Sequence, residues 1–328
     1  MIKRVPIKSF NHRLKILTCV LVLVIFSSCG NSQGLSDKVV SQERLSELSL
    51  ESNQIIPWGV AYQNFSEVHN SEKKVKIAIM DSGIDFSHIE LEGKIVKEYD
   101  ALLDQENQTP TDSLGHGTAI AGIISANDND IGIVGVSSNE NVELYSVKVL
   151  NDTGKGETSH LISGIEWCIE NNIDIINMSF GILRDREELR EVIDNAVNNG
   201  IIIVAAVGNK YRTSVDFPAG YPNVISVTAI DVNENKLFSA SEGKVDFSAP
   251  GVDILTISPN NEYQVVTGTS FASAHITGVI SNLLLNRNYE KNYDLLEQIK
   301  SDLISLSHNL GPDSDHSIYG YGSISIKN

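Results

Sequence analysis

Residues 173–206 read IDIINMSFGILRDREELREVIDNAVNNGIIIVAA, and the fold class follows from their pattern. An apolar run at 173–177 leads into an amphipathic segment at 187–199, which is followed by a second apolar run at 201–206. Near-continuous Val/Ile strands joined by helices are typical of buried parallel strands, because a parallel sheet is covered on both faces. The segment therefore predicts a strand–helix–strand unit of an α/β fold.

The same alternation continues on both sides of this unit. We expect an α/β fold with a central, mostly parallel sheet flanked by helices, and ligand chemistry beyond the carboxyl ends of its strands. One domain is predicted from residue 54 to residue 328. Further strands are predicted at 75–80, 142–149 and 224–229, and further helices at 117–126, 158–171 and 270–285.

The chain is strongly acidic. Its formal charge is −17, although the first 28 residues carry five basic residues and no acidic one. An acidic surface repels phosphate groups, so nucleic acid and anionic lipid are excluded as partners of the folded domain. The charge suits metal cations or a basic substrate.

The first 53 residues predict export and tethering. Basic residues up to Lys15 precede an apolar run at 16–26, an order that is typical of a secretory signal peptide. The following Ser27-Ser28-Cys29-Gly30 resembles the bacterial lipoprotein lipobox, which implies cleavage before Cys29 and a lipid on its sulfur. An ordinary signal peptide with a chance cysteine is the alternative. We therefore expect a lipoprotein signal peptide at 1–28, a tether or short propeptide at 29–53, and a protein held by Cys29 on the extracytoplasmic face of a bacterial membrane.

The cysteine count predicts a domain without disulfides. Cys19 leaves with the signal peptide and Cys29 is lipidated, so only Cys168 remains. One thiol cannot form an intramolecular disulfide, and we interpret Cys168 as a small buried hydrophobic residue.

Three polar residues stand at the ends of predicted elements with glycines beside them. Asp81 follows the first strand, whereas His116 and Ser270 each open a helix. Glycine lets the backbone approach a ligand closely, and a helix N-terminus presents free N–H groups to a developing anion. A hydroxyl attacks a carbonyl usefully only when a base takes its proton, and the base works best when a carboxylate fixes its tautomer. Acid, base and nucleophile are thus all present.

Three motifs in this order resemble the subtilisin-like serine proteases: AIMDSGID at 78–85, GHGTAIAG at 115–122 and GTSFAS at 268–273. The resemblance implies a three-layer subtilisin-like fold and a serine endopeptidase acting on peptides or proteins, with Asp81, His116 and Ser270 as its triad. Asn209 matches the family's oxyanion-binding amide. Ala274 stands where the family usually has proline, and alanine is a good helix former, so we expect little effect.

The resemblance also implies how substrate is held. An extended peptide would pair with two backbone segments, Gly154-Lys155-Gly156 and Ser179-Phe180-Gly181. Asp216 aligns with the bottom of the first specificity pocket, where a carboxylate would pair with Arg or Lys before the scissile bond. Lys210 aligns near the same pocket and can neutralise Asp216, so a basic preference is a hypothesis. Secretion, tethering and this pocket also resemble the lantibiotic leader peptidases, which cut a basic-ended leader outside the cell.

A structural calcium site is implied as well. Amide, carboxylate and carbonyl oxygens suit a hard cation, and Glu90 stands where the family usually has aspartate. The alternative is a solvated Asn/Asp turn. The residues that match the family's ligands are Gln54, Glu90, Asn127, Asn129, Ile131 and Ile133.

Two other functions stay open at this stage. One is a broad-specificity degradative extracellular protease, and the other is a catalytically silent surface lipoprotein that binds peptides. In each case we expect a monomer.

Overall fold

The computed structural model describes residues 54–64, 73–106, 112–211, 214–311 and 316–325. The predicted signal peptide, the tether and Cys29 lie outside these residues. In the part of the chain that is described, none of the helices combines the length and the apolar character that a bilayer-spanning segment needs.

The central feature is a ten-stranded sheet, counted over the described residues. The strands are β1 (Val75–Asp81), β2 (Ile95–Asp100), β3 (Gln105–Glu106), β4 (Val142–Lys148), β5 (Ile175–Met178), β6 (Ile202–Ala206), β7 (Ile225–Ile230), β8 (Phe247–Pro250), β9 (Ile254–Ser258), β10 (Glu262–Val266), β11 (Ser307–His308) and β12 (Ser323–Ile324). The order of strands in the sheet is β11-β12-β8-β7-β6-β5-β1-β4-β2-β3. Its interior strands are parallel, and only the edge pairs β2–β3 and β11–β12 are antiparallel. Strands β9 and β10 form a separate antiparallel pair.

Helices cover both faces of the sheet. A Cβ on Gly117 of α2 (His116–Ser125) would lie 3.1 Å from Asp81 Cβ, and one on Gly164 of α3 (Thr158–Glu170) would lie 2.8 Å from Met80 Cε. Successive residues of a strand point to opposite faces, so α2 and α3 lie on opposite sides of β1. The helices are α1 (Trp58–Gln63), α2 (His116–Ser125), α3 (Thr158–Glu170), α4 (Glu187–Asn198), α5 (Thr269–Asn286), α6 (Leu295–Leu306) and α7 (His316–Tyr319), with a 3₁₀ turn at Ile89–Leu91.

The α/β prediction is confirmed. Every predicted strand and helix exists, with bounds shifted by no more than two residues. Helix α4 shows why the pattern was readable: it buries residues 189, 192, 193, 196 and 197, the spacing of one helical face, while its other face is exposed. Strands β5, β6 and β7 are buried along their whole length, as parallel strands covered on both faces should be.

Neighbouring strands β1, β5 and β6 bring the predicted chemistry to one edge. Asp81 ends β1, Ser179 follows β5, and Asn209 lies three residues beyond β6. The chain passes from β1 to β4 on one side and then returns to β5 on the other, so the strand order reverses at β1. Such a switch point opens a crevice outside the carboxyl ends of the strands.

Candidate active site

Asp81 and His116 are joined directly. Nδ1 of His116 lies 2.8 Å from Oδ1 and 2.9 Å from Oδ2 of Asp81, and the Asp81 side chain is fully buried. Backbone N–H of Ser82 also donates to Oδ1 at 2.8 Å. A proton held on Nδ1 leaves Nε2 as the basic nitrogen of the ring.

Two glycines allow this close approach. Gly115 precedes α2 with φ +76°, a left-handed conformation that glycine adopts without steric cost. A Cβ on Gly117 would lie 2.1 Å from Gly83 O, so only glycine fits between the first turn of α2 and the loop after β1. Local sequence thus fixes the distance between the base and its carboxylate.

The pKa of His116 is raised above its ordinary value. Burial is the largest influence and lowers the pKa, but the charge and hydrogen bond of Asp81 and the charge of Asp112 together outweigh it. The arrangement favours the imidazolium, which is the form that a general base reaches after it takes a proton.

Asp112 was not predicted as a site residue. It binds both the loop after Asp81 and the start of the helix that carries His116. Its Oδ1 accepts from Ser82 Oγ at 2.7 Å and from Gly115 N at 2.9 Å. Its Oδ2 accepts from the backbone N–H and the hydroxyl of Thr118, at 2.8 and 2.7 Å. One buried carboxylate therefore caps the start of α2 and ties it to the loop after Asp81.

Ser270 is the second residue of α5 and is almost completely buried. Its hydroxyl donates to Ser179 O at 2.7 Å, and the ring of the next residue, Phe271, lies 5.5 Å from that of His116. The hydroxyl hydrogen of Ser270 must leave Ser179 O before it can pass to His116.

A buried polar network lies under Ser270. The Ser179 hydroxyl donates to Asn177 Oδ1 at 2.6 Å and lies 3.1 Å from the Ser273 hydroxyl, which itself donates to Ser270 O at 2.7 Å. Asn177 Nδ2 donates to Thr277 Oγ1 at 2.9 Å. Sequence inspection missed these side chains; they fix the first turns of α5 against the end of β5.

Asn209 is oriented by the backbone beside Ser270. Its Oδ1 accepts from Thr269 N at 3.0 Å, and Thr269 Oγ1 accepts from Gly208 N at 3.3 Å. Among the described residues no hydrogen bond uses Asn209 Nδ2, so this amide still has N–H groups to donate. The N–H groups in the first turn of a helix lack intrahelical partners, and Ser270 N is one of them.

The two predicted substrate segments flank this centre. Ile182 and Phe217 exchange backbone hydrogen bonds of 2.7 and 2.8 Å, so the segment Ser179–Phe180–Gly181 runs beside the one that carries Asp216. The other segment is shaped by Asn151, whose Oδ1 accepts from Lys155 N at 3.1 Å. A Cβ on Gly154 would meet Leu114 at 3.5 Å, and one on Gly156 would lie 2.4 Å from Val149 O.

Asp216 occupies a slot between the segment 179–181 and the loop that follows β6, beside Gly181 and Gly208. A Cβ on Gly181 would lie 2.4 Å from Asp216 Cβ, and a Cβ on Gly208 would lie 2.6 Å from its Oδ2. Asp216 N donates to Val207 O at 3.0 Å. Its side chain is 4% exposed, and Lys210 Nζ lies 3.6 Å from Oδ2.

Four of the six predicted calcium ligands come together. Gln54 Nε2 donates to Asn127 O at 2.5 Å and to Ile133 O at 2.9 Å, and Glu90 Oε1 accepts from Ile133 N at 2.8 Å. Asn129 Oδ1 instead accepts from Ile131 N at 3.2 Å, within the same loop.

The chemistry of this cluster suits a hard cation. Glu90 Oε2 is buried and has no partner within the described residues, and burial raises the pKa of Glu90 to about 6 even though Tyr263 and Ile133 N donate to its other oxygen. No group of three or more His, Cys, Asp or Glu side chains able to hold a metal occurs in the described part of the chain. The predicted set needs only one carboxylate, and a half-turn of the Gln54 amide would present its oxygen, so the residues fit calcium.

His88, His275 and Cys168 have structural surroundings. Nδ1 of His88 accepts from Glu90 N at 3.2 Å, and Nδ1 of His275 lies 2.8 Å from Phe271 O. Burial lowers the pKa of His275 to about 4, against a smaller opposing effect of the Phe271 carbonyl, so the ring is neutral at physiological pH. Burial raises the pKa of the Cys168 thiol, which makes it a poor nucleophile.

Comparisons with known proteins agree with this geometry. The family model described as the subtilase family matches residues 72–322. Subtilisin DY of Bacillus licheniformis is 37% identical over 284 residues, covering 84% of this chain and 98% of its own. The subtilisin of Bacillus pumilus is 35% identical over 282 residues, with 84% and 98% covered. The major intracellular serine protease of Bacillus subtilis (strain 168) is 38% identical over 228 residues, with 67% and 70% covered.

Proposed function

Because the chain belongs to the subtilase family and is a serine endopeptidase, we propose that Ser270 is its nucleophile, His116 its general base and Asp81 the carboxylate that orients His116. The observation that carries this assignment is the double contact between His116 Nδ1 and Asp81 at 2.8 and 2.9 Å. It holds the proton on Nδ1 and leaves Nε2 free to take the Ser270 proton.

The reaction passes through an acyl-enzyme. Ser270 Oγ attacks the scissile carbonyl while His116 takes its proton, and His116 then gives that proton to the leaving amine. Water, deprotonated by the same imidazole, then attacks the acyl carbon. The bond from that carbon to Ser270 Oγ breaks, and His116 returns the proton to Ser270 Oγ. The oxyanion formed in each half is held by Asn209 Nδ2 and Ser270 N, groups that have no hydrogen-bond partner among the described residues.

Two experiments test the assignment. Ser270→Ala should abolish peptide cleavage, and a purified variant that cleaved at the wild-type rate would overturn the proposal. A fluorophosphonate probe should label the wild type and not the variant. An unlabelled wild type would instead favour the silent peptide-binding lipoprotein.

We propose further that the protein is exported and anchored by a lipid on Cys29. The support is the order of basic residues, apolar run and Ser27-Ser28-Cys29 in the sequence. Cys29→Ser should move the protein from the membrane fraction to the culture medium. If wild type and variant fractionate alike, Cys29 is not the anchor.

The substrate is proposed to carry Arg or Lys before the scissile bond. Asp216 supports this because its carboxylate is buried beside Gly181 and Gly208, and a buried charge calls for a cation. A hydrogen bond to a charged group contributes about 1.5–3 kcal/mol, roughly ten- to a hundredfold in rate. Matched peptides ending in Arg, Leu and Glu test the preference, and fastest turnover of the Leu peptide would refute it.

Such a preference suits cleavage of a basic-ended leader from a secreted (lanthi)peptide precursor. The alternative is broad degradation of extracellular proteins, which is considered because one relative of this chain is a thermostable alkaline protease. A casein digest separates the two: a leader-processing enzyme should leave casein intact, and many cuts would indicate degradation.

Calcium is proposed as a structural cofactor held by the cluster around Gln54 and Glu90. When bound, the ion would supply charge compensation for the Glu90 carboxylate and crosslink three parts of the chain. It takes no part in peptide hydrolysis.

A further inference from the structure

The cationic partner of Asp216 is part of the chain itself. Lys210 Nζ lies 3.6 Å from Asp216 Oδ2, and the two side chains are 52% and 4% exposed. Within the described residues, Lys210 is the sole charged group paired with this carboxylate, and the carboxylate oxygens accept no hydrogen bond from any of these residues. The contact is an ion pair without a close hydrogen bond, and the Lys210 side chain is half exposed to solvent.

We infer that Lys210 is an internal counter-ion that broadens the choice of residue before the scissile bond, because it neutralises Asp216 whenever the substrate does not. The inference rests on the proposed function, in which Asp216 faces that residue. Lys210 thereby becomes a specificity-determining residue that touches neither Ser270 nor the scissile bond.

A cationic substrate side chain must displace Lys210. The displaced ammonium returns to water from a half-exposed position, and ion pairs of that exposure contribute little. Arg or Lys of the substrate therefore binds Asp216 at a small cost, which is the loss of the Lys210 contact.

A neutral substrate side chain leaves Lys210 in place. It removes water from the slot, and a buried carboxylate without water or a cation is strongly unfavourable. With Lys210 still at Oδ2, the charge stays compensated and the neutral side chain is tolerated. Removal of Lys210 should thus favour basic substrates and penalise apolar ones at the same time.

The test is Lys210→Met, which keeps the length of the side chain and removes its charge. We expect kcat/KM for the Arg and Lys peptides to rise about two- to fivefold, the range that an exposed ion pair allows. For the Leu peptide it should fall about fivefold or more, because Asp216 is then buried without a partner. The ratio of Arg to Leu rates should therefore rise about tenfold or more.

Lys74→Met is the matched control. Lys74 is also an exposed lysine paired with a carboxylate, Glu143 at 2.6 Å, but it lies beside the amino end of β1. The Lys74→Met substitution changes the net charge by the same amount and should leave the ratio of Arg to Leu rates unchanged. An unchanged ratio in Lys210→Met, or a ratio that moves as much in Lys74→Met, would overturn the inference.

Asp216→Asn separates this inference from the proposed function. If the Arg to Leu ratio does not fall in Asp216→Asn, Asp216 does not select the substrate and the proposed preference fails. If it falls while Lys210→Met has no effect, only the counter-ion role fails. When both hold, adding Lys210→Met to Asp216→Asn should leave the ratio where Asp216→Asn alone puts it.

Discussion

Asp112 Oδ1 accepts a hydrogen bond from Ser82 Oγ, 2.7 Å away, and the charge of the same carboxylate raises the pKa of His116. A general base works only when neutral, so activity rises as the pH passes through its pKa. Asp112→Asn removes a charge that raises this pKa. The acid limb of the kcat/KM profile should therefore move to lower pH.

Asp112→Asn should also lower stability. An amide at this position presents N–H groups to Thr118, whose N–H and hydroxyl donate to Asp112 Oδ2. A buried donor left unsatisfied costs about 1–3 kcal/mol, which thermal unfolding detects. Glu191→Gln, which changes an exposed acid on α4, is the control for net charge. If the acid limb of the kcat/KM profile stayed in place or moved to higher pH, Asp112 would have only a structural role.

The oxyanion assignment predicts a loss of kcat rather than of binding. Asn209→Ala removes the free amide N–H groups but keeps the backbone of the loop. In a subtilisin, removal of one side-chain donor to the oxyanion lowers kcat by a factor of about 10²–10³. We expect a similar loss here with KM nearly unchanged. A rise in KM at constant kcat would instead indicate that Asn209 binds the ground state.

Strands and catalytic motifs could be predicted from the sequence because each has a local cause. Buried parallel strands such as β6 are apolar throughout, and the glycines beside Asp81 and His116 are needed for close approach. Strand β2 escaped notice because Lys97 and Glu98 interrupt its apolar pattern, and β8 because Ser248 and Pro250 interrupt its short apolar run. The order of strands depends on contacts between distant segments, which no local pattern contains.

Other parts of the site carry no local signal. Asp112 is one of 42 acidic residues, and only the fold places it against Ser82 and Thr118. The resemblance supplied Asn127 and Ile133 as carbonyl ligands, which composition cannot do because every residue has a carbonyl. Ser179 was predicted for its backbone, whereas its side chain also belongs to the network under Ser270.

The proposed calcium site predicts stabilisation by the ion. Calcium that binds only the folded chain contributes about 2.7 kcal/mol at a hundred times its Kd. For a domain of this size that corresponds to roughly 5–10 °C in Tm, at about 2–4 °C per kcal/mol. A chelator should lower Tm by this amount and added calcium should restore it.

Glu90→Ala should remove the calcium dependence of Tm, because it removes the one carboxylate of the cluster. The control is Glu92→Ala, since Glu92 lies on the same segment but contributes only its backbone O, which accepts from Asn127 Nδ2 at 3.0 Å. If chelator leaves the wild-type Tm unchanged, the cluster does not bind calcium.

The approach of α2 to the end of β1 predicts a last pair of variants. Gly117→Ala places a methyl group 2.1 Å from Gly83 O, and backbone cannot yield as a flexible side chain does. The start of α2 must move away, carrying His116 from Asp81; a misplacement of 1 Å costs about 10² in rate.

Gly93→Ala is the matched control: the φ of Gly93 is +76°, but no atom lies within 4 Å of the new methyl group. It should lose about 1–2 kcal/mol of stability from backbone strain and keep its kcat. Equal kcat in the two variants, measured beside their Tm, would mean that catalysis does not depend on this close approach.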